Sequence, residues 1–407
     1  MSSPIRVGLL GRGTVGGAFH DLLGERADAI EAASGRKPEI SGVLTRSQGD
    51  FDQIIANSDV IVELMGGVDP TRDFVARSLA AGKPVITANK QMLSRYGSEL
   101  FALAASNNTQ LRFEAAVAGV IPAIRVISES LAGAHIERVH GIVNGTTNYI
   151  LSEMAREGLS YEQALAQAQT LGYAEADPTE DVGGGDAAAK MAILARLAFG
   201  VDVTIDQVSY EGIESLTLED IDYAKEFDLV LKLIGTAERV NGGVSVRVFP
   251  AFLYPGHPLA SVHGPFNAVT VESPAITEIT MSGPGAGGIQ TASAVLGDLV
   301  SVIAGAPALH APVVPAQIAS EIHSAFYLHL EVSDKPGVLS EVAAHLAAHG
   351  VSVRSVIQRE TGADARLVMV MHRTLESQFF AAVAEIAELD SIKTKPRVIR
   401  VIEEEFV

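Results

Sequence analysis

The segment Gly11-Arg12-Gly13-Thr14-Val15-Gly16 follows directly on the apolar run Ile5 to Leu10 and opens a helical pattern that reaches about Ala33. A short, nearly continuous apolar run is typical of a strand buried on both faces, and hence of a parallel sheet. Glycines between such a strand and a helix make a phosphate seat. The first forms the tight turn, the second lets backbone amides approach a pyrophosphate, the third packs helix on strand, and the helix N-terminus adds partial positive charge. Gly11, Arg12, Gly13, Thr14, Val15 and Gly16 are therefore candidate dinucleotide-binding residues.

The rest of the chain can be parsed around that unit. Ile40 to Leu44, Val60 to Leu64 and Val85 to Thr87 are further short apolar runs, separated by helical stretches such as Thr71 to Ala81. Alternation of this kind predicts an α/β fold with a doubly wound, Rossmann-type parallel sheet over residues 1–125. From about Arg125 strand candidates Ile136 to Val143, Val244 to Phe249 and Ala268 to Val271 enclose Ala-rich helices, which predicts an α+β domain over 126–282. A glycine turn at Gly283 to Gly288 and a helix over Thr291 to Ile303 suggest that 283–310 returns to the first domain. His310 to Ser320, with Pro312 and Pro315, reads as a linker within 311–324. Over 325–407 the order is βαββαβ, which predicts a ferredoxin-like four-stranded antiparallel sheet with two helices on one face.

Composition narrows the functions open to such a chain. With 407 residues and 47% hydrophobic content it can bury a core in each of two or three domains. No run approaches the ~18 consecutive apolar residues of a membrane span. Met-Ser-Ser-Pro-Ile-Arg enters a strand pattern without a signal-peptide core, so a cytoplasmic location is expected. Cysteine is absent, which excludes disulfides, thiolate metal sites and cysteine nucleophiles. The net charge of -19 argues against nucleic-acid or anionic-membrane partners.

The acidic residue that would bind a ribose 2′-hydroxyl is missing after the second strand, where the chain reads Leu44-Thr45-Arg46-Ser47. Arg46, with Arg12, favours a 2′-phosphate and so NADP(H), with NAD(H) as the alternative; a solvated surface arginine explains Arg46 nearly as well. Lys90, in Thr87-Ala88-Asn89-Lys90, follows a strand that should end at the cofactor crevice. Asn144-Gly145-Thr146-Thr147-Asn148 lies between an apolar strand and a helix, as a capping turn or as a polar wall of a site. Gly172 to Lys190 is dense in carboxylates, with Glu175, Asp177, Glu180 and Asp181 ahead of three glycines and a helix. Asp186 and Lys190, four apart, share one face of that apolar helix, where a lysine beside carboxylates suits proton transfer. Asp334-Lys335-Pro336-Gly337 offers backbone amides at another helix start, either as a plain connection or to a small anionic metabolite.

These motifs in this order resemble the homoserine dehydrogenases, specifically the monofunctional bacterial type with a C-terminal ACT regulatory domain. The resemblance covers nearly the whole chain. It is most specific in Gly172 through Asp177-Pro178, Asp181-Val182, Gly184 and Asp186 to Lys190, and extends to Thr87-Ala88-Asn89-Lys90, Asn144 to Tyr149 and Gly283-Pro284-Gly285-Ala286-Gly287. It implies reversible reduction of L-aspartate 4-semialdehyde to L-homoserine by a nicotinamide cofactor, on the route to threonine and methionine. By the same resemblance Lys190 exchanges the proton with the hydroxyl oxygen and Asp186 orients the lysine and the substrate. Glu175 and Asp181, with Thr146 and Tyr173, hold the substrate's polar groups, and Lys90 sits between nicotinamide and substrate. Gly172, Gly285 and Gly287 match cofactor-contacting positions. Glu114, Val117, Gly119 and Ile121 match the ligands of a monovalent cation, sodium, although Val120 stands where many relatives carry a second glycine. The middle domain becomes one for substrate binding and dimerisation, the assembly a homodimer or homotetramer, and threonine an effector at the ACT domain.

Three other readings remain open on the sequence: a catalytically silent nucleotide- and amino-acid-sensing regulator, a scaffold whose C-terminal domain pairs with another chain, and a Rossmann oxidoreductase acting on a different amino acid.

Overall fold

The computed structural model describes residues 3–309, 313–361 and 364–402. Its N-terminal part runs β1 (Ile5–Leu10), α1 (Thr14–Ser34), β2 (Pro38–Leu44), α2 (Phe51–Asn57), β3 (Val60–Glu63), α3 (Thr71–Ala80), β4 (Val85–Thr87), α4 (Lys90–Ser106) and β5 (Leu111–Arg112). The five strands are parallel in the order β2-β1-β3-β4-β5. Val7 and Leu9 of β1 and Val62 of β3 are completely buried, as strands covered on both faces require. The winding reverses between β1 and β3, the switch point where such sheets open a ligand crevice.

The middle part runs α5 (Ala123–Arg125), β6 (Arg138–Ile142), α6 (Gly145–Glu157), α7 (Tyr161–Thr170), α8 (Thr179–Val182), α9 (Gly185–Phe199), β7 (Val201–Asp202), β8 (Ser209–Tyr210), α10 (Leu218–Glu226), β9 (Val230–Val240), β10 (Gly243–Leu253), β11 (Phe266–Ser273), β12 (Thr277–Pro284) and α11 (Gly288–Ile303). Ala292, Val295 and Leu299 of α11 share a buried cluster with Val7, Leu9, Phe19 and Leu23, so this helix packs on the β1–α1 unit. Strands β9 and β12 escaped the sequence reading. β9 carries Lys232 and Gly235 inside an apolar run and has no clean alternation, whereas β12 runs without a break into the Gly283–Gly288 turn.

The C-terminal part adds β13 (Val314–Pro315), β14 (His323–Ser333), α12 (Val338–Ala348), β15 (Val353–Thr361), β16 (Asp364–Met371), β17 (Thr374–Leu375), α13 (Glu376–Ala387) and β18 (Arg397–Ile402). Its four long strands are antiparallel in the order β18-β14-β16-β15, and Phe326, Leu328 and Leu330 pack with Val342, Leu346, Phe379 and Ile386 of the two helices. The βαββαβ expectation is met, but the module does not stand alone. β18 pairs in parallel with β10, joining both sheets into one. The other face of β14 packs Tyr327 on Phe252, with ring centroids 5.0 Å apart, and Arg397 donates to Thr217 Oγ1 (2.8 Å) and Glu219 (2.9 Å) ahead of and within α10. The segment expected as a linker is pinned as well. β13 pairs with β7, and Val244 exchanges backbone hydrogen bonds with Gln317 and Ala319; residues 310–312 and 403–407 lie outside the described residues. No helix among the described residues is long and apolar enough to cross a membrane.

Gly235 shows how the sheet seats the helix that carries the acid and lysine. A Cβ at Gly235 would stand 2.4 Å from Met191 Cγ, so glycine lets α9 lie close on β9. Gly235→Ala is expected to destabilise the protein by about 1–3 kcal/mol through overpacking. Equilibrium urea unfolding checks this, and an unchanged midpoint would contradict it.

Candidate active site

The turn from β1 to α1 has the geometry its glycines predicted. Gly11 has φ +95°, and a Cβ there would meet the Leu64 carbonyl oxygen at 2.5 Å; one on Gly16 would stand 2.1 Å from the Gly11 carbonyl oxygen. Around Gly13 a Cβ would meet nothing within 4 Å, which leaves its backbone open to a ligand. The Gly11 N–H donates to the Leu44 carbonyl (2.8 Å), tying this turn to the end of β2, two residues before Arg46. Arg12 and Arg46 are exposed there, while Val15 reaches into the main cleft.

That cleft lies between the parallel sheet and the middle domain. Its walls include Lys90, Gly119, Asn144, Thr146, Gly172, Tyr173, Glu175, Asp181, Asp186, Lys190, Gly285 and Gly287, so it gathers most of the residues singled out in the sequence. Asp186 is its centre. On the first turn of α9, the Asp186 carboxylate meets Lys190 Nζ through Oδ2 (2.7 Å) and Lys90 Nζ through Oδ1 (2.7 Å). Lys190 Nζ also donates to the Val143 carbonyl (2.6 Å). Lys90 comes from the first residue of α4, beyond β4, as its position near the crevice suggested.

Asn144 was a candidate only as part of a turn, and the structure gives it two tasks. Its Oδ1 accepts from Thr147 N–H (2.9 Å) and caps α6, while its Nδ2 donates to Asp181 Oδ1 (2.7 Å) and Asp186 Oδ2 (2.8 Å). Asn144 thus both caps α6 and lines the cleft. An asparagine just past an apolar strand was the signal, but its bridging of two acids some forty residues on is visible only in three dimensions.

Charge balance divides the lysines. Burial draws the Lys190 ammonium below the ordinary lysine value and Lys90's charge adds to this, against the pull of Asp186. Burial works against Lys90 too, but Asp186, helped by Asp181 and Glu180, outweighs it and holds its proton more firmly than usual. Burial opposes ionisation of Asp186; the two ammonium groups overcome it and keep the carboxyl well below the usual range. Asp181 goes the other way, raised by burial and by Asp186 despite the Asn144 bond.

The remaining candidates are arranged around this centre. Thr146 Oγ1 donates to the Tyr173 carbonyl (2.6 Å), and the Tyr173 ring lies 4.8 Å from Tyr149. Glu175 is exposed at the mouth. Asp177 accepts from the hydroxyl (2.6 Å) and N–H of Thr179, an ordinary local turn. Gly172 (φ +78°) ends α7, and Gly287 (φ +131°) precedes α11.

Deeper in, Glu114 is buried and accepts backbone N–H groups from Ile124 (2.9 Å) and Arg125 (3.0 Å). Burial, and then the charge of Asp298, push its carboxyl up to about 7; burial pushes Asp298 up to about 6. Between Val117 and Ile121, Ala118 (φ +56°) and Gly119 (φ +65°) are both left-handed and redirect the backbone carbonyls. Arg125 pairs with Asp298 (3.3 Å) but only partly offsets the two buried acids, and a carboxylate beside such a turn of carbonyls fits a monovalent cation by donor chemistry. Val120 leaves the left-handed pair in place.

A Rossmann crevice beside a lysine–carboxylate centre, joined to a ferredoxin-like module, defines a nicotinamide-dependent oxidoreductase. The family model for homoserine dehydrogenase matches residues 122–300, that for the homoserine dehydrogenase NAD-binding domain 11–114, and that for the ACT domain 327–391. A homoserine dehydrogenase of Neisseria gonorrhoeae is 37% identical over 98% of both chains. The crystal structure of a homoserine dehydrogenase from Thiobacillus denitrificans matches with a TM-score of 0.94 at 37% identity, over 98% of each chain. A hyperthermophilic archaeal homoserine dehydrogenase in complex with NADPH matches with a TM-score of 0.64 at 26% identity, over 76% of this chain and 100% of that one. The chain belongs to the homoserine dehydrogenase family, with the family's NAD-binding domain and a C-terminal ACT domain.

Asn144→Ser separates the two tasks of that residue. Serine is as good an N-cap, so α6 keeps its start and the stability loss should be confined to the hydrogen bonds given up by the two carboxylates, about 1–3 kcal/mol. Steady-state turnover should fall because the link between Asp181 and Asp186 is lost. Unchanged turnover would show that the bridge is idle.

Proposed function

We propose that this chain catalyses the reversible reduction of L-aspartate 4-semialdehyde to L-homoserine, a step in threonine and methionine biosynthesis. The observation that carries this reading is Lys190 held by Asp186 at the Rossmann crevice, with its proton loosened by burial and by Lys90. Bound in the cleft, the reduced nicotinamide supplies the hydride. Lys190 gives its Nζ proton to the oxygen that becomes the alkoxide, and its positive charge stabilises that oxygen as charge develops. In the reverse direction the neutral amine takes the hydroxyl proton. Asp186 orients Lys190 and the substrate, and Lys90 steadies the nicotinamide and the substrate between them. Glu175 and Asp181, with Thr146 and Tyr173, hold the substrate's ammonium and hydroxyl groups. The intact Asp186–Lys190 pair disfavours a catalytically silent regulator.

The same reading divides the chain into a dinucleotide-binding domain over 1–125 with the returning 283–310, a substrate and dimerisation domain over 126–282, and an ACT domain over 325–407. Gly11 to Gly16, Lys90, Gly172, Gly285 and Gly287 contact the dinucleotide. Arg12 and Arg46, exposed at the adenosine end of the sheet, support NADP(H) over NAD(H), as does the relative in complex with NADPH. Glu114, with the carbonyls of Val117, Gly119 and Ile121, would hold sodium, whose charge would add to that of Arg125 in offsetting Glu114 and Asp298. Threonine as an effector is supported by a cavity lined by Ser333, Lys335, Gly337, Ser340 and Asp390 at the start of α12. A homodimer or homotetramer in the cytoplasm completes the reading.

Loss of NADPH absorbance on addition of aspartate semialdehyde tests the activity, and NADPH should be used with higher kcat/KM than NADH. Lys190→Ala should lower turnover by about 10²–10⁴-fold, the usual contribution of a positioned acid–base group, with NADPH affinity little changed. Near-normal turnover in that variant would refute the assignment.

A further inference from the structure

Asn267, on β11 just behind the cleft, is completely buried, and neither its Oδ1 nor its Nδ2 has a hydrogen-bond partner among the described residues. Few buried carboxamides in folded proteins are left unpaired at both ends, because each end forfeits its hydration. The strand leaves this one no retreat. Asn267 stands opposite Gly283 in the β11–β12 ladder. Asn148 Nδ2 clamps the preceding loop through the carbonyls of Val262 (3.2 Å) and Phe266 (3.1 Å), and buried Lys232 donates to Asn148 Oδ1 (3.0 Å) and to the Val262 carbonyl. Against the carboxamide lies the turn after β12. A Cβ on Gly285 would stand 2.2 Å from Asn267 Cγ, 2.3 Å from Oδ1 and 2.4 Å from Nδ2. On its other side the turn touches Gly119, where a Cβ would be 2.5 Å from the Gly285 carbonyl oxygen. Pro284 to Gly287 also line the cleft, so one short turn is in contact with both the unpaired carboxamide and the space for a ligand.

We propose that Asn267 is a positioning residue for dinucleotide binding: when the ligand seats, a peptide group of the Pro284–Gly287 turn pairs with the Asn267 carboxamide and closes the turn on the nicotinamide end. A carboxamide carries a donor and an acceptor side by side and so matches the N–H and C=O of a peptide. Gly285, with no side chain, permits the approach. The inference rests on the dinucleotide reading above and goes beyond it in assigning a residue that touches neither substrate nor cofactor.

Asn267→Leu keeps the number and branching of the side-chain heavy atoms and removes both polar ends. In the unliganded full-length protein no bond is lost, so the thermal midpoint should be unchanged or higher. The NADPH dissociation constant should rise about tenfold, the loss of one good hydrogen-bonded contact. The rise in midpoint on adding NADPH should shrink, and kcat at saturating NADPH should fall less than kcat/KM. Asn267→Asp, of the same shape but without the donor, should also weaken NADPH binding, and it decides the matter if the leucine variant does not fold. Failure of the parent protein to bind NADPH would overturn the functional reading itself. Tight binding by the parent with equal affinity in Asn267→Asp would overturn only the role of Asn267, as would a lowered midpoint in unliganded Asn267→Leu with NADPH affinity unchanged.

Discussion

The Asp186 carboxylate between two ammonium groups is the interaction on which the rest of the site depends. It lies on a helix buried nearly all round, where an isolated charge is strongly disfavoured, and it is ionised because Lys190, Lys90 and the Asn144 amide surround it. Removing one of the charged partners from such a cluster typically costs about 3–5 kcal/mol, because the others are left buried and uncompensated. Each partner comes from a different part of the fold: Lys190 from α9, Lys90 from the end of the parallel sheet, Asn144 from the end of β6. The cluster therefore also ties the parallel-sheet part of the chain to the middle part.

Close approach of backbones makes that arrangement possible. Gly235 admits α9 to the face of the sheet, and Gly184, at φ +90°, starts the helix so that Asp186 falls on its first turn. Gly119, Gly285 and Gly16 each occupy a place where a Cβ would collide with backbone or side-chain atoms. Glycines and alanines accordingly make up much of the cleft wall, beside the charged groups of Lys90, Asp181, Asp186 and Lys190. The ACT domain joins the same framework by sharing a sheet with β10 and by seating Arg397 on α10, which in turn packs against α6.

Much of this was legible in the sequence because its periodicities are local. The strand–glycine–helix unit at Gly11 to Gly16, the i, i+4 pair of Asp186 and Lys190, and the alternating strands of the C-terminal module all followed from spacing. What escaped depended on tertiary partners. β9 was obscured by Lys232, whose charge is met by Asn148 and a carbonyl from distant segments, and by Gly235, which answers to Met191. The pairing of β18 with β10 cannot be read from either strand, since a free edge and a joined edge look alike in sequence. Asn267 resembles any polar residue at the start of a strand until Gly285 is found against it.

The central claim is that burial and Lys90 loosen the Lys190 proton while Asp186 keeps it in place. Homoserine oxidation needs the neutral amine, so its kcat/KM should rise with pH and level off at a value below the ordinary lysine pKa of 10.5, while aldehyde reduction, which needs the ammonium, falls over the same range. Replacing Asp186 by asparagine removes the charge that favours the ammonium, so the midpoint should move to still lower pH. The most direct measurement is the pH profile of homoserine oxidation in the parent, Asp186→Asn and Lys190→Ala proteins. The account predicts a rising limb that shifts down in the first variant and vanishes in the second; a limb that persists unaltered without Lys190, or one centred at or above 10.5 in the parent, would contradict it.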